Sequence, residues 1–188
     1  MPKKKPTKKK VETVKKVKRN ILFDDVKYNS DDTINQLANI DFEHVTGSRG
    51  METISLVNSY INKLKTAAPG SRVFLDWDKT LSKQDSIDYL SFLGESTKFE
   101  KSLELYFGTP QRRENLRKFF AYIEKKGLTY YILTRNPTAS DKNERFFFKM
   151  MMDTLLGNKK FNTDKQLLYC NGKYTSKSSY INKNFPAI

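Results

Sequence analysis

One cysteine and one histidine stand among 188 residues. A single cysteine, Cys170, excludes an internal disulfide, and the two residue types together are too few for a cysteine–histidine zinc site. Cys170 closes the apolar run Leu167-Leu168-Tyr169 and reads as a small core residue rather than a nucleophile. His44 lies in the polar stretch Asp41-Phe42-Glu43-His44-Val45 and reads as surface. No apolar run approaches the roughly 20 residues a membrane-spanning helix needs. The amino terminus lacks the apolar segment of a secretory signal. These absences lead to the expectation of an intracellular protein, cytoplasmic or nuclear, with no membrane partner.

Basic residues are plentiful but unevenly placed. The formal charge is +14, and residues 1–20 supply +9 of it from ten Lys or Arg and one Glu. A segment this charged repels itself and has almost nothing to bury, so residues 1–20 read as a disordered basic tail. Such a run serves as a nuclear-import signal, as an arm for nucleic acid or an acidic partner, or merely as a solubilising tail. Residues 21–48 read as a partly ordered arm over the domain, because Asp24, Asp25, Asn29, Ser30, Asp31 and Asp32 break any period after Ile21-Leu22-Phe23. Residues 49–188 read as the folded domain, and a content of 37% hydrophobic residues is enough to build its core.

Within that domain, Met51, Ile54, Val57, Tyr60, Ile61 and Leu64 fall on one helical face, and Pro69-Gly70 turns the chain. Arg72–Asp76 reads as a strand. Residues 82–110 read as a broken helical insert, and a helix runs from about Arg112 to Lys126, closed by Gly127. Leu128–Leu133 is a second strand rich in β-formers. Thr134-Arg135-Asn136-Pro137 is its exit loop, a helix capped by Asp141 or Ser140 runs through Arg145 to Leu156, and Gln166–Cys170 is a third strand. Strands alternating with helices predict an α/β fold: a Rossmann-like three-layer sandwich around a mostly parallel sheet.

The stretch Val73-Phe74-Leu75-Asp76-Trp77-Asp78-Lys79-Thr80-Leu81 carries the chemistry. An apolar strand delivers two carboxylates to its carboxyl end, where open α/β sheets place ligands. Residues two apart on an extended chain share a side, so Asp76 and Asp78 converge unless the chain turns between them. Close carboxylates repel unless a cation or a shared proton intervenes. The bland alternative is that Asp78 and Thr80 only cap the next helix.

Asp76-x-Asp78-x-Thr80 after such a strand resembles the first motif of the haloacid dehalogenase (HAD) superfamily of phosphohydrolases. The wording from Pro69 to Ser82 looks like HAD-type phosphatases of large DNA viruses, and the Lys- and Asn-rich composition is compatible with an AT-rich genome. The resemblance covers about residues 50–181. It implies a Mg2+-dependent phosphomonoester hydrolase in which Asp76 forms an aspartyl-phosphate and Asp78 acts as general acid and base. Thr134, ending the second strand, matches the family's phosphate-holding hydroxyl, and Arg135-Asn136 matches the polar pair that often follows. The insert at 82–110 corresponds to a small helical cap. The family's neutralising lysine has candidates in Lys159, Lys160, Lys165, Lys173 and Lys177, of which Lys177, before a helix start, is favoured.

The metal would be held by the Asp76 carboxylate and the Asp78 backbone carbonyl, and the phosphorylated substrate by Trp77, Lys79, Thr80, Arg135 and Asn136. One family element is missing. A later strand ordinarily ends in acids that complete the metal shell, yet no Asp or Glu follows Asp164. Three explanations stand: the sequence stops short of that strand, phosphate and waters complete the shell, or an acid from elsewhere, such as Asp141 or Asp85, substitutes. Rival functions with the same core are a phosphatase for nucleic-acid ends or for proteins. A further rival is a HAD-like binding protein with little or no catalysis.

Overall fold

The computed structural model describes residues 2–6, 18–24, 42–46, 51, 53–83, 99–157 and 161–186. Residues 7–17 of the expected tail, 25–41 of the expected arm and 84–98 of the expected insert lie outside them. The described residues form an α/β sandwich built on a five-stranded, all-parallel sheet in the order β2-β1-β3-β4-β5. The strands are β1 (Asn20–Asp24), β2 (Phe42–Thr46), β3 (Arg72–Leu75), β4 (Thr129–Thr134) and β5 (Leu167–Tyr169). The helices are α1 (Ile54–Leu64), α2 (Phe99–Phe107), α3 (Pro110–Lys125), α4 (Phe146–Leu156), the single turn α5 (Thr163–Gln166) and α6 (Lys177–Asn184).

Helix ends follow local chemistry. The Thr53 hydroxyl accepts the Leu56 N–H at 3.2 Å, so α1 begins at Ile54 rather than Met51, which is nonetheless fully buried. Thr109 caps α3, with Pro110 in its first turn. Gly127, at φ +72°, makes the left-handed turn into β4. Asn162 caps α5, which shortens the third strand to three residues.

The sheet is buried on both faces, as parallel sheets require. Ile21, Phe23, Val73, Leu75 and Ile132 face a large core shared with α1, α3 and α4. Leu22, Phe74 and Leu133 alternate to the other face, where a small core includes Cys170 and Ile181 of α6. Cys170 is thus the core residue its context suggests.

The largest departure from the sequence reading concerns the arm. Asn20–Asp24 is a central strand, buried throughout and paired on both sides, and Phe42–Thr46, including His44, is its outer neighbour. Three apolar residues sufficed because β1 pairs with β2 and β3, so its backbone finds its hydrogen bonds in the sheet rather than in local structure. The consequence for function is topological. From β1 the chain adds β2 on one side, then returns to place β3, β4 and β5 on the other. The order reverses between β1 and β3, and a crevice forms at such a switch point, outside the carboxyl ends of the two strands.

Candidate active site

Two aspartates occupy that crevice. Phe23 is in register with Leu75, so Asp24 and Asp76 follow side by side at the ends of β1 and β3. Both are buried, at 1% and 6% exposure. Buried carboxylates need a partner, and Lys177 is that partner. Its Nζ lies 2.6 Å from Asp76 Oδ1 and 3.5 Å from Asp24 Oδ2, and it is itself 4% exposed. Lys177 opens α6, where Ser176 and Ser179 form a reciprocal capping box that fixes the start of the helix. Of the other lysine candidates, Lys165 and Lys173 are exposed, and Lys159 and Lys160 lie outside the described residues.

Asp24 is the site residue that the sequence reading missed. Asp141, offered as the substitute acid, is exposed and accepts the Asn143 N–H at 2.7 Å; Asp85 lies outside the described residues.

The chain does turn between Asp76 and Asp78. Asp76 caps the turn Trp77–Leu81, its Oδ1 accepting the Trp77 N–H at 2.8 Å. Lys79 sits at φ +58°, the left-handed region that a non-glycine residue enters only under constraint. Asp78 is half-buried, and both of its oxygens face Asn136 Nδ2 at 3.5 Å. Asn136 is held in turn: its Oδ1 accepts the Thr138 N–H and its own N–H donates to Thr134 Oγ1, each at 3.0 Å. Thr134 is fully buried at the end of β4, and its hydroxyl retains a proton to donate.

Burial governs the charges. It pushes Asp76 up to about 7, against the lowering pull of Lys177 and with Asp24 adding to the rise. Burial also lifts Asp78 to about 6, although Asn136 and Lys177 act the other way. One carboxyl poised near neutrality and a second just below it make a pairing suited to nucleophilic and acid–base work. The chain matches no protein-family model, no curated protein and no solved structure.

Other expected contacts fall differently. Trp77 is fully buried, with ring contacts to Phe107, Phe147 and Phe148 at centroid distances of 5.6, 6.5 and 5.0 Å. It is a core residue and is not available to substrate, because the turn after Asp76 sends it inward. Thr80 is also buried, its hydroxyl without a partner. Lys79 is exposed beside the site. The exposed Arg135 donates to the carbonyls of Asn171 and Tyr174, at 3.4 and 2.9 Å, and so braces the loop that leads to Lys177.

Arg112 is a second brace, one with no signal in the sequence. It is 2% exposed and donates to the carbonyls of Thr80, Leu81 and Phe107 at 3.0, 2.9 and 2.8 Å. It therefore ties the Asp78 turn to the end of α2, where Lys83 N–H also meets Tyr106 O at 2.7 Å. Hydrogen bonds to a charged donor contribute about 1.5–3 kcal/mol each, and stranded buried acceptors add their desolvation cost. Replacing Arg112 with Met is expected to destabilise the fold by about 3 kcal/mol or more, read as a shift in the urea midpoint. A shift below about 0.5 kcal/mol would show that the brace is dispensable.

Asp24 and Asp76 fit a hard divalent cation. Their carboxyl oxygens meet beside the Lys177 ammonium in a buried crevice, and oxygen donors are what such an ion takes. Among the described residues no group of three or more acidic, His or Cys side chains is placed to hold a metal. Two side-chain ligands would suit Mg2+, an ion that keeps several waters.

Proposed function

We propose that this chain is a Mg2+-assisted phosphomonoester hydrolase of the HAD type, with Asp76 as nucleophile. The observation that carries the reading is the Asp24–Lys177–Asp76 cluster at the topological switch point, with Asp78 two residues further on. The acid that the family carries on a later strand is supplied here by an earlier one. β1 lies beside β3 and ends in Asp24, so the missing element precedes the first motif instead of following it.

Asp76 and Asp24, with the backbone carbonyl of Asp78, would hold the ion. Bound there, Mg2+ would supply Lewis-acid polarisation of the phosphoryl group and charge neutralisation. The chain's own groups do the rest. The Trp77 N–H and Lys177 fix the orientation of the Asp76 carboxylate for in-line attack on phosphorus, giving an aspartyl-phosphate. Asp78, lifted to about 6, gives its proton to the leaving oxygen and then takes one from the water that hydrolyses the intermediate. Lys177 and the Thr134 hydroxyl offset the negative charge on the equatorial oxygens.

The test is phosphate release from a generic aryl phosphate by the full chain, with and without Mg2+. Metal-dependent turnover is expected. Asp24→Asn is expected to raise the Mg2+ concentration for half-maximal activity by at least about tenfold, since even outer-shell partners of a metal tune affinity by 10–100-fold. A folded protein that releases no phosphate at any Mg2+ concentration would overturn the reading in favour of a binding protein. The identity of the phosphorylated substrate, whether a small ester, a nucleic-acid end or a phosphoprotein, is the next question for the same assay.

A further inference from the structure

The pole of the sheet opposite the crevice is strongly basic. It is formed where β1, β3 and β4 begin and where α1 and α3 end. Lys18, Arg19, Lys63, Lys65, Arg72, Lys125 and Lys126 all lie there, and in the described segments that build it, 18–20, 62–72 and 124–129, Glu124 is the sole acid.

Contacts with the surrounding loops and helix ends hold Lys18, Arg19, Arg72 and Lys126 on one surface. The stem of Lys18 lies across Gly70, its Cε 3.3 Å from where a Cβ would stand. Arg19 donates to the Thr66 hydroxyl, and its N–H to Ser71 Oγ at 3.0 Å. Lys126 Nζ donates to Lys65 O at 3.0 Å, and Gly70 N–H to Gly127 O at 2.9 Å, which locks the two helix ends together. Arg72 lies over the Phe185 ring at 5.3 Å and donates to Pro186 O at 3.1 Å.

Helix dipoles do not account for this charge. A helix carboxyl end carries about half a negative charge, whereas four lysines sit at the ends of α1 and α3. Lys18, Arg19 and Arg72 belong to neither helix. In sequence, Lys18 follows directly on a lysine-rich stretch.

We infer that this pole is a docking surface for the phosphate backbone of duplex nucleic acid. Charge alone does not choose among polyanions, but the surface chemistry does. The exposed large hydrophobic residues among those described are Ile54, Leu105 and Phe146, and none belongs to the segments of this pole. Protein interfaces draw their energy from buried aromatic and apolar anchors, single strands from stacking on exposed rings, and membrane-surface helices from an inserted apolar face. A patch of cations without an exposed apolar anchor, its half-buried Phe185 ring lying under Arg72, suits a duplex backbone, bound through counterion release and without sequence preference. The strands hold this pole about 13–20 Å from the crevice at some 3.3 Å per residue. Duplex bound here is therefore an anchor for the protein and not the ester that Asp76 would attack.

The experiment measures binding of the full chain to a short duplex DNA of random sequence across a salt series. The comparison is a triple variant, Lys18→Gln, Lys65→Gln and Lys125→Gln, three exposed residues outside the crevice. In the variant, with the amino-terminal lysines intact, the slope of log K against log salt is expected to flatten by about 2–3, roughly 0.9 per lost phosphate contact. Its thermal midpoint should be unchanged. An unchanged slope would overturn the inference and assign all binding to the amino-terminal segment. So would binding to phosphatidylserine vesicles without binding to duplex, displacement by polyglutamate as readily as by DNA, or no binding of wild type at all.

Discussion

Replacing Asp76 with Asn is expected to lower kcat on an aryl phosphate by at least about 10⁴-fold, the scale seen when a nucleophile or its base is removed. The geometry makes this a sharp test. Asn keeps the volume and the acceptor oxygen that receives the Trp77 N–H, so the turn Trp77–Leu81 retains its cap. What disappears is the anionic oxygen that would attack phosphorus. Lys177 keeps Asp24 as a counterion 3.5 Å away, so no charge is stranded and the fold should survive. Unchanged near-ultraviolet circular dichroism would establish that. A folded Asp76→Asn protein retaining more than about a tenth of wild-type kcat would remove Asp76 from the nucleophile's role. A companion Asp78→Asn variant separates the two carboxyls. As general acid, Asp78 matters most for poor leaving groups, so its loss should be mild with an aryl phosphate and severe with an alkyl phosphate.

The reading that leads to Asp76 comes from local pattern, which is why the sequence carries it. Val73-Phe74-Leu75 is apolar on successive residues, as a strand buried on both faces must be, and the carboxylates follow at once. Lys177 was legible for a similar reason: Ser176 before it and Ser179 after it mark a helix start within four residues. β1 had no such signature. Its apolar portion is three residues long and sits between Asn20 and the acidic run beginning at Asp24, so no period emerges. Its pairing partner β3 lies some fifty residues downstream, and local periodicity holds no record of which strands become neighbours. The same non-local fact hid Asp24. The acids that the sequence offers to complete the shell, Asp85 and Asp141, lie after the first motif, whereas sheet order brings Asp24 from before it.

Trp77 shows the opposite error. Placed between the two candidate aspartates in sequence, it invites a role at the site. The turn directs it instead into a cage of Phe107, Phe147 and Phe148. Asp78 is brought to Asn136 by that turn, not by strand alternation, with Lys79 at positive φ closing the loop. Arg112, which braces this turn from α3, has no neighbour in sequence that announces it.

Replacing Lys177 with Met is expected to destabilise the metal-free protein by about 3–5 kcal/mol at pH 8, the cost of removing one partner from a buried ionic cluster. The effect should depend on pH with a definite sign. Burial already lifts Asp76 to about 7, from an ordinary value of 3.8, in the presence of the lysine. Without that ammonium its pKa rises further. A carboxyl with a raised folded-state pKa binds more protons folded than unfolded, so stability falls as pH rises between the two values. The variant should therefore be closest to wild type near pH 4, and its deficit should grow through pH 7 and beyond. Mg2+ should recover part of the loss at pH 8, because a cation between Asp24 and Asp76 replaces the missing charge and binds the folded state alone. Urea unfolding at pH 5 and 8, each with EDTA or excess Mg2+, yields all four values. A deficit independent of both pH and Mg2+ would mean that Lys177 acts only through packing, and that the crevice it closes is not the anionic metal site from which the hydrolase reading is built.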